Sequence, residues 1–255
     1  MEGTISYAVP PSALRVFHGF RNQTLSEDQY LRVLGQTSMP GAPYMLAPLG
    51  LAAYLPGVVV GEQNAEVLNE FAIIAYPSQE VWQHIMNQTL RGRVYNQMHG
   101  GVFDLSRSGA SFPVFINDLP TIATDPYYLF NCATDWQLGV TRVFVGAPAS
   151  ESVTPFEFRQ AIRIAAEKSI PRLSASRFDQ CVVMPADRYV VIWTHASTAV
   201  KESVPGWEEL GATVRVIANL DAQRILCPDE PPPITLTQTT ALNFVFLRTP
   251  GMFLK

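Results

Sequence analysis

One local pattern occurs twice in this chain of 255 residues, and it limits the folds open to the chain more than any other feature. In the first copy, residues 14–20 alternate between two faces as a β-strand does, and Ser26-Glu27-Asp28-Gln29 has the form of a helix capping box. In the second copy, residues 141–146 repeat the Arg-Val-Phe-x-Gly core, and Thr154-Pro155-Phe156-Glu157 is again a capping box with proline at the first helical position. Strand, turn, cap and helix recur in the same order, which indicates two related halves.

The first half predicts the order strand, helix, strand, strand, helix, strand, which is that of a ferredoxin-like unit. After the first helix we expect a loop at residues 36–48 and a bent or edge strand at 51–60, because Pro56 and Gly57 interrupt that run. The remaining elements are a buried strand, a helix capped by Ser78 and a closing strand, at residues 71–76, after 78, and at 102–105.

The second half repeats this order with shorter loops. Its later strands are predicted at residues 178–184, 189–195 and 214–218, with a short helix capped by Ser197 between the last two. Each half also ends in a strand-like tail, at residues 127–130 and 234–247. The predicted units are therefore residues 1–131 and 132–255.

This order and these lengths resemble the dimeric α+β barrel superfamily, in the form in which two ferredoxin-like units are fused in one chain. Residues 75–84, Ala-Tyr-Pro-Ser-Gln-Glu-Val-Trp-Gln-His, also resemble the passage from third strand to second helix in small monooxygenase-like members. The resemblance implies an α+β fold of tandem ferredoxin-like repeats that form a pseudo-dimeric barrel, with two facing four-stranded sheets and helices outside. It also implies a mostly apolar pocket between the sheets, or between a sheet and its helices.

Charge and composition narrow the expected partners. A net charge of -4 and the absence of clustered Lys and Arg argue against nucleic acid. Charged residues make up 16% of the chain, below the roughly 25% usual for soluble proteins, so we expect extensive burial or a homo-oligomer. The sequence has no signal-peptide pattern or membrane-length apolar run, and Cys132, Cys181 and Cys227 form no metal motif. We expect a cytoplasmic protein with a small-molecule substrate and no membrane partner.

His18 is the first candidate catalytic residue. It shares a predicted strand face with Leu14, Val16 and Phe20, where an apolar residue is expected, and Val145 stands at its place in the repeat. A buried histidine that forms a structural hydrogen bond is one interpretation, and a general acid or base is the other.

His195 and Tyr76 come near the ends of the third strands of the two halves, at roughly equivalent places. Strand ends face pocket mouths, so the imidazole of His195 is a second acid–base candidate. The phenol of Tyr76 could donate a proton or orient a carbonyl, or it could pack with only its hydroxyl in water.

Two charged residues complete the catalytic candidates. Arg21 follows the first strand, where it could bind a carboxylate or stabilise an enolate, or remain a solvated turn residue. Asp179 lies within a predicted strand, and a buried carboxylate there needs a partner. That partner could be Arg177 or Arg142, or Asp179 could orient His195.

Haem is the cofactor alternative, because some fused barrels of the superfamily bind haem through a histidine. His84, His99 and His195 are the possible axial ligands, although His84 is predicted on a helix flank and no companion haem motif accompanies any of them. No pair of histidines has the spacing of a metal site, and no glycine pattern predicts a dinucleotide. We therefore expect no cofactor and no metal.

Three hypotheses of function follow. The first is a cofactor-independent enzyme that uses acid–base chemistry on a small or medium apolar substrate, of the lyase, isomerase, cyclase or monooxygenase type. The second is a haem-binding oxidoreductase of the fused barrel type. The third is a non-enzymatic oligomeric binding module, which low charge and many aromatic residues would suit. The polar residues differ between the two halves, and we favour the first hypothesis because the two halves of a fused pocket can diverge.

Overall fold

Two six-stranded β-sheets and five α-helices make up the described part of the protein. The structure is a computed structural model and describes residues 13–62, 64–115, 125–131, 136, 138–175, 178–197, 207–227, 233–236 and 241–248. Its strands are β1 (Ala13–Gly19), β2 (Ala53–Val58), β3 (Glu70–Tyr76), β4 (Gly109–Ser111), β5 (Val114–Phe115), β6 (Tyr127–Asn131), β7 (Val140–Pro148), β8 (Gln180–Pro185), β9 (Val190–Ala196), β10 (Val214–Asp221), β11 (Gln223–Cys227) and β12 (Leu242–Arg248). Its helices are α1 (Glu27–Val33), α2 (Met39–Leu46), α3 (Gln79–Gln88), α4 (Leu90–Val102) and α5 (Pro155–Ala175), with shorter turns at Leu34–Ser38, Ala47–Leu49 and Trp207–Thr213.

Each sheet contains the four antiparallel strands of a ferredoxin-like unit. In the first sheet these strands run in the order β2-β3-β1-β4, and in the second β8-β9-β7-β10. The two orders are the same when the strands are numbered within each unit. The predicted fold class, α+β with tandem ferredoxin-like repeats in a pseudo-dimeric barrel, is therefore confirmed.

The two units exchange their tails. Strand β6 follows the first unit in the chain but pairs with β8 of the second unit, and β12 follows the second unit but pairs with β2 of the first. Each tail therefore covers an outer strand that would otherwise be an open sheet edge. The division of the chain between residues 131 and 132 stays a prediction, since Cys132 lies outside the described residues.

The alternation of side chains along the strands builds three apolar layers. One face of each sheet packs against the other sheet, and the rings of Phe71 and Trp193 meet there in an edge-on contact at 5.8 Å. The outer face of the first sheet is covered by α1 to α4, and that of the second by α5. Among the described residues, no helix combines the length and apolar character that crossing a bilayer requires.

Two predicted elements of the first half are wrong. Most of residues 36–48, expected as a loop because of their glycines and prolines, are helical, since Met39, Ala42 and Leu46 bury an apolar face that outweighs the weak local propensity. Residues 102–105 are not the closing strand. Helix α4 continues through Gly100-Gly101 to Val102, Phe103 makes only an isolated bridge to Arg21, and β4 is the fourth strand.

Strand β2 is interior in the complete sheet, although it is the outer strand of its own unit. Strand β12 pairs with β2 only at Gly57 and Val58, directly after Pro56. Proline lacks the N–H that a second partner strand would need. The interruption noted in the sequence therefore marks the point where pairing with the exchanged tail ends.

Replacing Gly57 by alanine is expected to destabilise the fold by about 1–3 kcal/mol. An added Cβ would overlap the ring of Phe71 and lie 3.0 Å from the carbonyl oxygen of Leu242. Chemical denaturation measures the change. Gly101→Ala is the matched control, because within the described structure its Cβ would meet no atom within 4 Å. Equal denaturation midpoints for wild type and Gly57→Ala would contradict the close approach of the Phe71 ring and the Leu242 carbonyl to Gly57.

Candidate functional site

A cavity of about 280 Å³ lies between the outer face of the first sheet and its helices. Its walls come from β1, β2, β3, α2, α3, α4 and the segment that leads into β4. The polar side chains on the walls are Arg15, Tyr54, Tyr76, Asn87, Tyr95, Asn96, His99 and Ser108, and the larger apolar ones are Phe17, Leu46, Leu51, Ile74, Trp82, Met86 and Leu105. A mostly apolar wall with a few converging polar groups is the usual composition of a small-molecule site.

Arg15 supplies a positive charge to this cavity. Its guanidinium carbon lies 4.0 Å from the centre of the Trp82 ring, and Nη2 donates a hydrogen bond to the Ala110 carbonyl at 3.1 Å. Nε is buried without a hydrogen-bond partner, and among the described residues no carboxylate pairs with this side chain. A guanidinium stays charged even where burial lowers its pKa. The cavity therefore favours a ligand with an anionic oxygen.

Tyr76 lies beside Arg15 on the same wall. The residue is fully buried, and within the described structure its hydroxyl has no hydrogen-bond partner. Burial raises the pKa of this phenol, while the charge of Arg15 opposes the shift. The hydroxyl is therefore a protonated donor that a ligand oxygen could satisfy.

His99 is held in one tautomer by the helix that carries it. Its Nδ1 lies 3.0 Å from the carbonyl oxygen of Tyr95, and since a carbonyl can only accept, Nδ1 carries the hydrogen. Phe17, Tyr95 and Phe103 surround the ring at centroid distances of 5.8, 4.7 and 5.8 Å. Burial lowers the pKa of His99. The imidazole is therefore neutral at neutral pH, and Nε2 has a free electron pair to accept a proton.

A buried carboxyl group lies behind the cavity wall. Glu70 is 2% exposed and accepts a hydrogen bond from the Tyr54 hydroxyl at 3.3 Å. Tyr54 also interacts electrostatically with Tyr95, and both phenols line the cavity. Burial raises the pKa of Glu70 to about 8. The carboxyl group is therefore protonated at neutral pH.

The equivalent surface of the second unit lacks this arrangement. Strand pairing makes Arg142 the counterpart of Arg15, but Asp221 neutralises Arg142 through two hydrogen bonds of 2.7 and 3.1 Å. The counterparts of Tyr54, Glu70 and Tyr76 are Cys181, Val190 and Ala196. These three side chains pack with Phe158 and Ile162 of α5 in an apolar layer. The polar groups are thus specific to the first unit.

Of the predicted site residues, only Tyr76 lines this cavity. His18 is on the face between the sheets, near the rings of Phe20 at 6.1 Å and Tyr189 at 6.5 Å. Burial lowers its pKa. Arg21 donates to the Leu25 carbonyl at 2.7 Å and so stabilises the turn before α1. The two side chains lie away from the cavity, and their catalytic roles stay predictions.

His195 lies between the sheets rather than at a pocket mouth. It is fully buried, with Nδ1 2.8 Å from the Thr141 hydroxyl and the Trp136 ring at 4.9 Å. The register makes Ala196, not His195, the counterpart of Tyr76. A difference of one residue places two side chains on opposite faces of a strand, so Tyr76 and His195 do not share a cavity.

Asp179 accepts a hydrogen bond from the backbone N–H of Ser197, and its own N–H donates to the His195 carbonyl at 2.8 Å. These contacts join the ends of β8 and β9 and do not orient the His195 ring. Arg142 is paired with Asp221 instead of Asp179. Arg177 lies outside the described residues.

Sequence reasoning missed Arg15, Tyr54 and Glu70, and it considered His99 only as a haem ligand. The available signal was the strand face opposite His18, since Arg15 and Phe17 alternate with it.

His84 is exposed on α3, as predicted for a helix flank. Across the described ranges, no group of three or more His, Cys, Asp or Glu side chains could hold a metal ion. Haem binding stays an alternative prediction.

No family model and no curated protein sequence matches the chain. Among solved structures, it is similar to a proposed monooxygenase from Lactobacillus acidophilus NCFM at 10% identity and a TM-score of 0.36, with 91% of this chain and 98% of that one covered. A proposed monooxygenase from Fusobacterium nucleatum has 8% identity and a TM-score of 0.34, with coverages of 83% and 98%. An anthrone oxidase-like protein has 12% identity and a TM-score of 0.33, with coverages of 82% and 93%.

Proposed function

We propose that the protein is a cofactor-independent enzyme that removes a proton from a small or medium apolar carbon acid bound in the cavity between the first sheet and its helices. The observation that carries this proposal is the unpaired Arg15 charge in a cavity that also contains neutral His99. The charge of Arg15 acts on both His99 and Tyr76, so each of these groups lies within electrostatic reach of the Arg15 guanidinium. In the described part of the second unit, Asp221 neutralises the equivalent arginine, and this combination is absent there.

Each of the three groups has a defined role. Nε2 of His99 accepts the proton as the C–H bond breaks, and the electron pair of that bond moves to the substrate carbonyl oxygen. Arg15 and the Tyr76 hydroxyl stabilise the resulting enolate oxygen by charge and hydrogen bonding. The enolate can then be protonated, expel a leaving group, attack a second carbonyl or react with dioxygen. Isomerase, lyase, cyclase and monooxygenase reactions can all begin from this intermediate.

The cavity walls indicate the substrate class. Phe17, Tyr54, Tyr76, Trp82 and Tyr95 present aromatic surfaces, and the volume of about 280 Å³ suits a compact ring system. An enolisable ketone whose carbonyl lies in a ring fused to an aromatic ring combines an apolar surface with the carbonyl oxygen that Arg15 would bind. We therefore propose aromatic ketones of this kind, with two or three fused rings.

The test is deuterium incorporation in heavy water into β-tetralone, a bicyclic ketone whose benzylic C–H beside the carbonyl is acidic. Wild type is expected to accelerate the exchange beside the carbonyl, and His99→Gln is expected to lower that acceleration by roughly 100-fold, as for loss of a general base. His84→Gln is the control, because His84 is exposed on α3. Nuclear magnetic resonance follows the exchange. Equal rates for wild type and His99→Gln would refute the assignment of the base.

The exchange rate should also depend on pH in a direction set by His99. Burial lowers the pKa of His99 below 6.5, so the neutral base persists until the pH falls below that value. We expect the second-order rate constant to be constant just above pH 6.5 and to fall as acid protonates Nε2. A pH profile whose acid limb has its midpoint above 6.5 would contradict a desolvated His99 as the base.

A further inference from the structure

Glu70 is a carboxyl group with an unusual position for a charged residue type. It lies at the start of β3, is 2% exposed, and faces Tyr30 of α1, Tyr54 of β2 and Tyr95 of α4. Among the described residues no cation pairs with it, and the charge of Arg21 acts on the neighbouring Tyr30. A buried carboxylate without a cation is costly, whereas a neutral carboxyl that hydrogen-bonds is tolerated. Its surroundings therefore favour the protonated form.

The phenol of Tyr54 connects this carboxyl group to the cavity. Its hydroxyl donates a hydrogen bond to Oε1 of Glu70 at 3.3 Å and interacts electrostatically with Tyr95. Tyr54 and Tyr95 line the cavity, and Glu70 lies behind them. A protonated Glu70 can donate across the same 3.3 Å contact, which frees the Tyr54 hydrogen to point toward a bound ligand. In the second unit, Cys181 and Val190 occupy the places of Tyr54 and Glu70 and offer no such path.

We propose that Glu70 holds the proton that completes the reaction and supplies it to the substrate through Tyr54. This inference rests on the proposed function and adds a proton donor to it. The Tyr54 O–H bond breaks as the bond from that hydrogen to the enolate forms. The Glu70 O–H bond breaks as the Tyr54 O–H bond forms again, which leaves a Glu70 carboxylate. Water then returns a proton to Glu70 and removes one from His99, so no oxidant or reductant takes part.

Glu70 acts only through Tyr54, so the test needs a measurement that a purely structural role would leave unchanged. The pH profile of β-tetralone exchange provides it. In wild type, we expect the rate to fall as the pH rises past about 8, because Glu70 then loses its proton. In Glu70→Gln, the rate at neutral pH should be roughly 100-fold lower, as for loss of a general acid, and the alkaline fall should be absent.

Two tyrosine variants complete the experiment. Tyr54→Phe cuts the path but keeps the carboxyl group, and it should reproduce the low rate and the missing alkaline fall even if Glu70→Gln does not fold. Tyr30→Phe is the matched control, because Tyr30 also faces Glu70 but lies outside the cavity wall, and its exchange profile should equal that of wild type.

The outcomes separate this inference from the function on which it rests. If wild type did not accelerate the exchange, both the proposed function and the role of Glu70 would be refuted. Exchange that requires His99 but retains its alkaline fall in Glu70→Gln and Tyr54→Phe would overturn only the role of Glu70. A uniform decrease at every pH, with the alkaline fall intact, would also overturn it, because that result describes a structural residue.

Discussion

Replacing Arg15 by methionine is expected to reduce enzyme-catalysed β-tetralone exchange about 100- to 1000-fold, the usual cost of removing one group that stabilises an oxyanion. Methionine keeps the length and apolar contacts of the arginine stem but removes the charge that lies 4.0 Å from the Trp82 ring. Since Arg15 already lacks a carboxylate partner, its loss leaves no protein charge uncompensated. The effect should therefore fall on the reaction and much less on folding.

Arg142→Met is the matched control for this prediction. Arg142 occupies the same place in the second unit, but it pairs with Asp221. Its replacement should leave the exchange rate unchanged. Arg15→Lys tests the geometry, because lysine keeps the charge but loses the planar group that stacks on Trp82, and an intermediate rate is expected. An equal decrease of the exchange rate in Arg15→Met and Arg142→Met would show that the reaction does not depend on the unpaired charge of Arg15.

The fold was predictable from the sequence because it depends on repeated local patterns. The Arg-Val-Phe-x-Gly repeat and the two capping boxes fix strand and helix starts, and Ser26 and Gln29 form the predicted reciprocal bonds at 3.2 and 2.9 Å. The exchange of tails was not predictable, since pairing partners distant in the chain leave no local pattern. The tails themselves were visible as strands, but their partners were not.

The candidate site was less predictable because it depends on which face of a strand meets the helices. His18 was predicted to be catalytic because it is a polar residue among apolar ones, but its strand face packs between the two sheets. Arg15 lies on the alternate face and looks like an ordinary exposed strand residue until α3 places Trp82 against it. The same alternation of faces separates Tyr76 from His195. The counterpart of Tyr76 is Ala196, so His195, one residue earlier, points to the opposite face of its strand. Glu70 was missed because it precedes the apolar run 71–76, where a carboxylate is expected at a solvated strand end.

The stability that Glu70 contributes should fall as the pH rises from about 4.5 to about 8, and Glu70→Gln should remove that contribution. The pKa of Glu70 is raised from 4.5 to about 8 in the folded protein, so between these values the folded state binds a proton that the unfolded state has lost. The stability present below pH 4.5 is then lost with a slope of up to ~1.4 kcal/mol per pH unit. Glutamine can still accept the Tyr54 hydrogen bond and carries no charge at any pH.

Urea denaturation of wild type and Glu70→Gln across this pH range measures the difference. His18 and His99 work in the opposite direction, because their lowered pKa values make the folded state gain stability as the pH rises toward 6.5. That contribution is common to both proteins, so the difference between their unfolding free energies isolates Glu70. Glu151→Gln, in an exposed turn, controls for the change in net charge and should follow wild type. If the unfolding free energies of wild type and Glu70→Gln changed in parallel with pH, Glu70 would be ionised in the folded protein. It would then have no proton to donate through Tyr54.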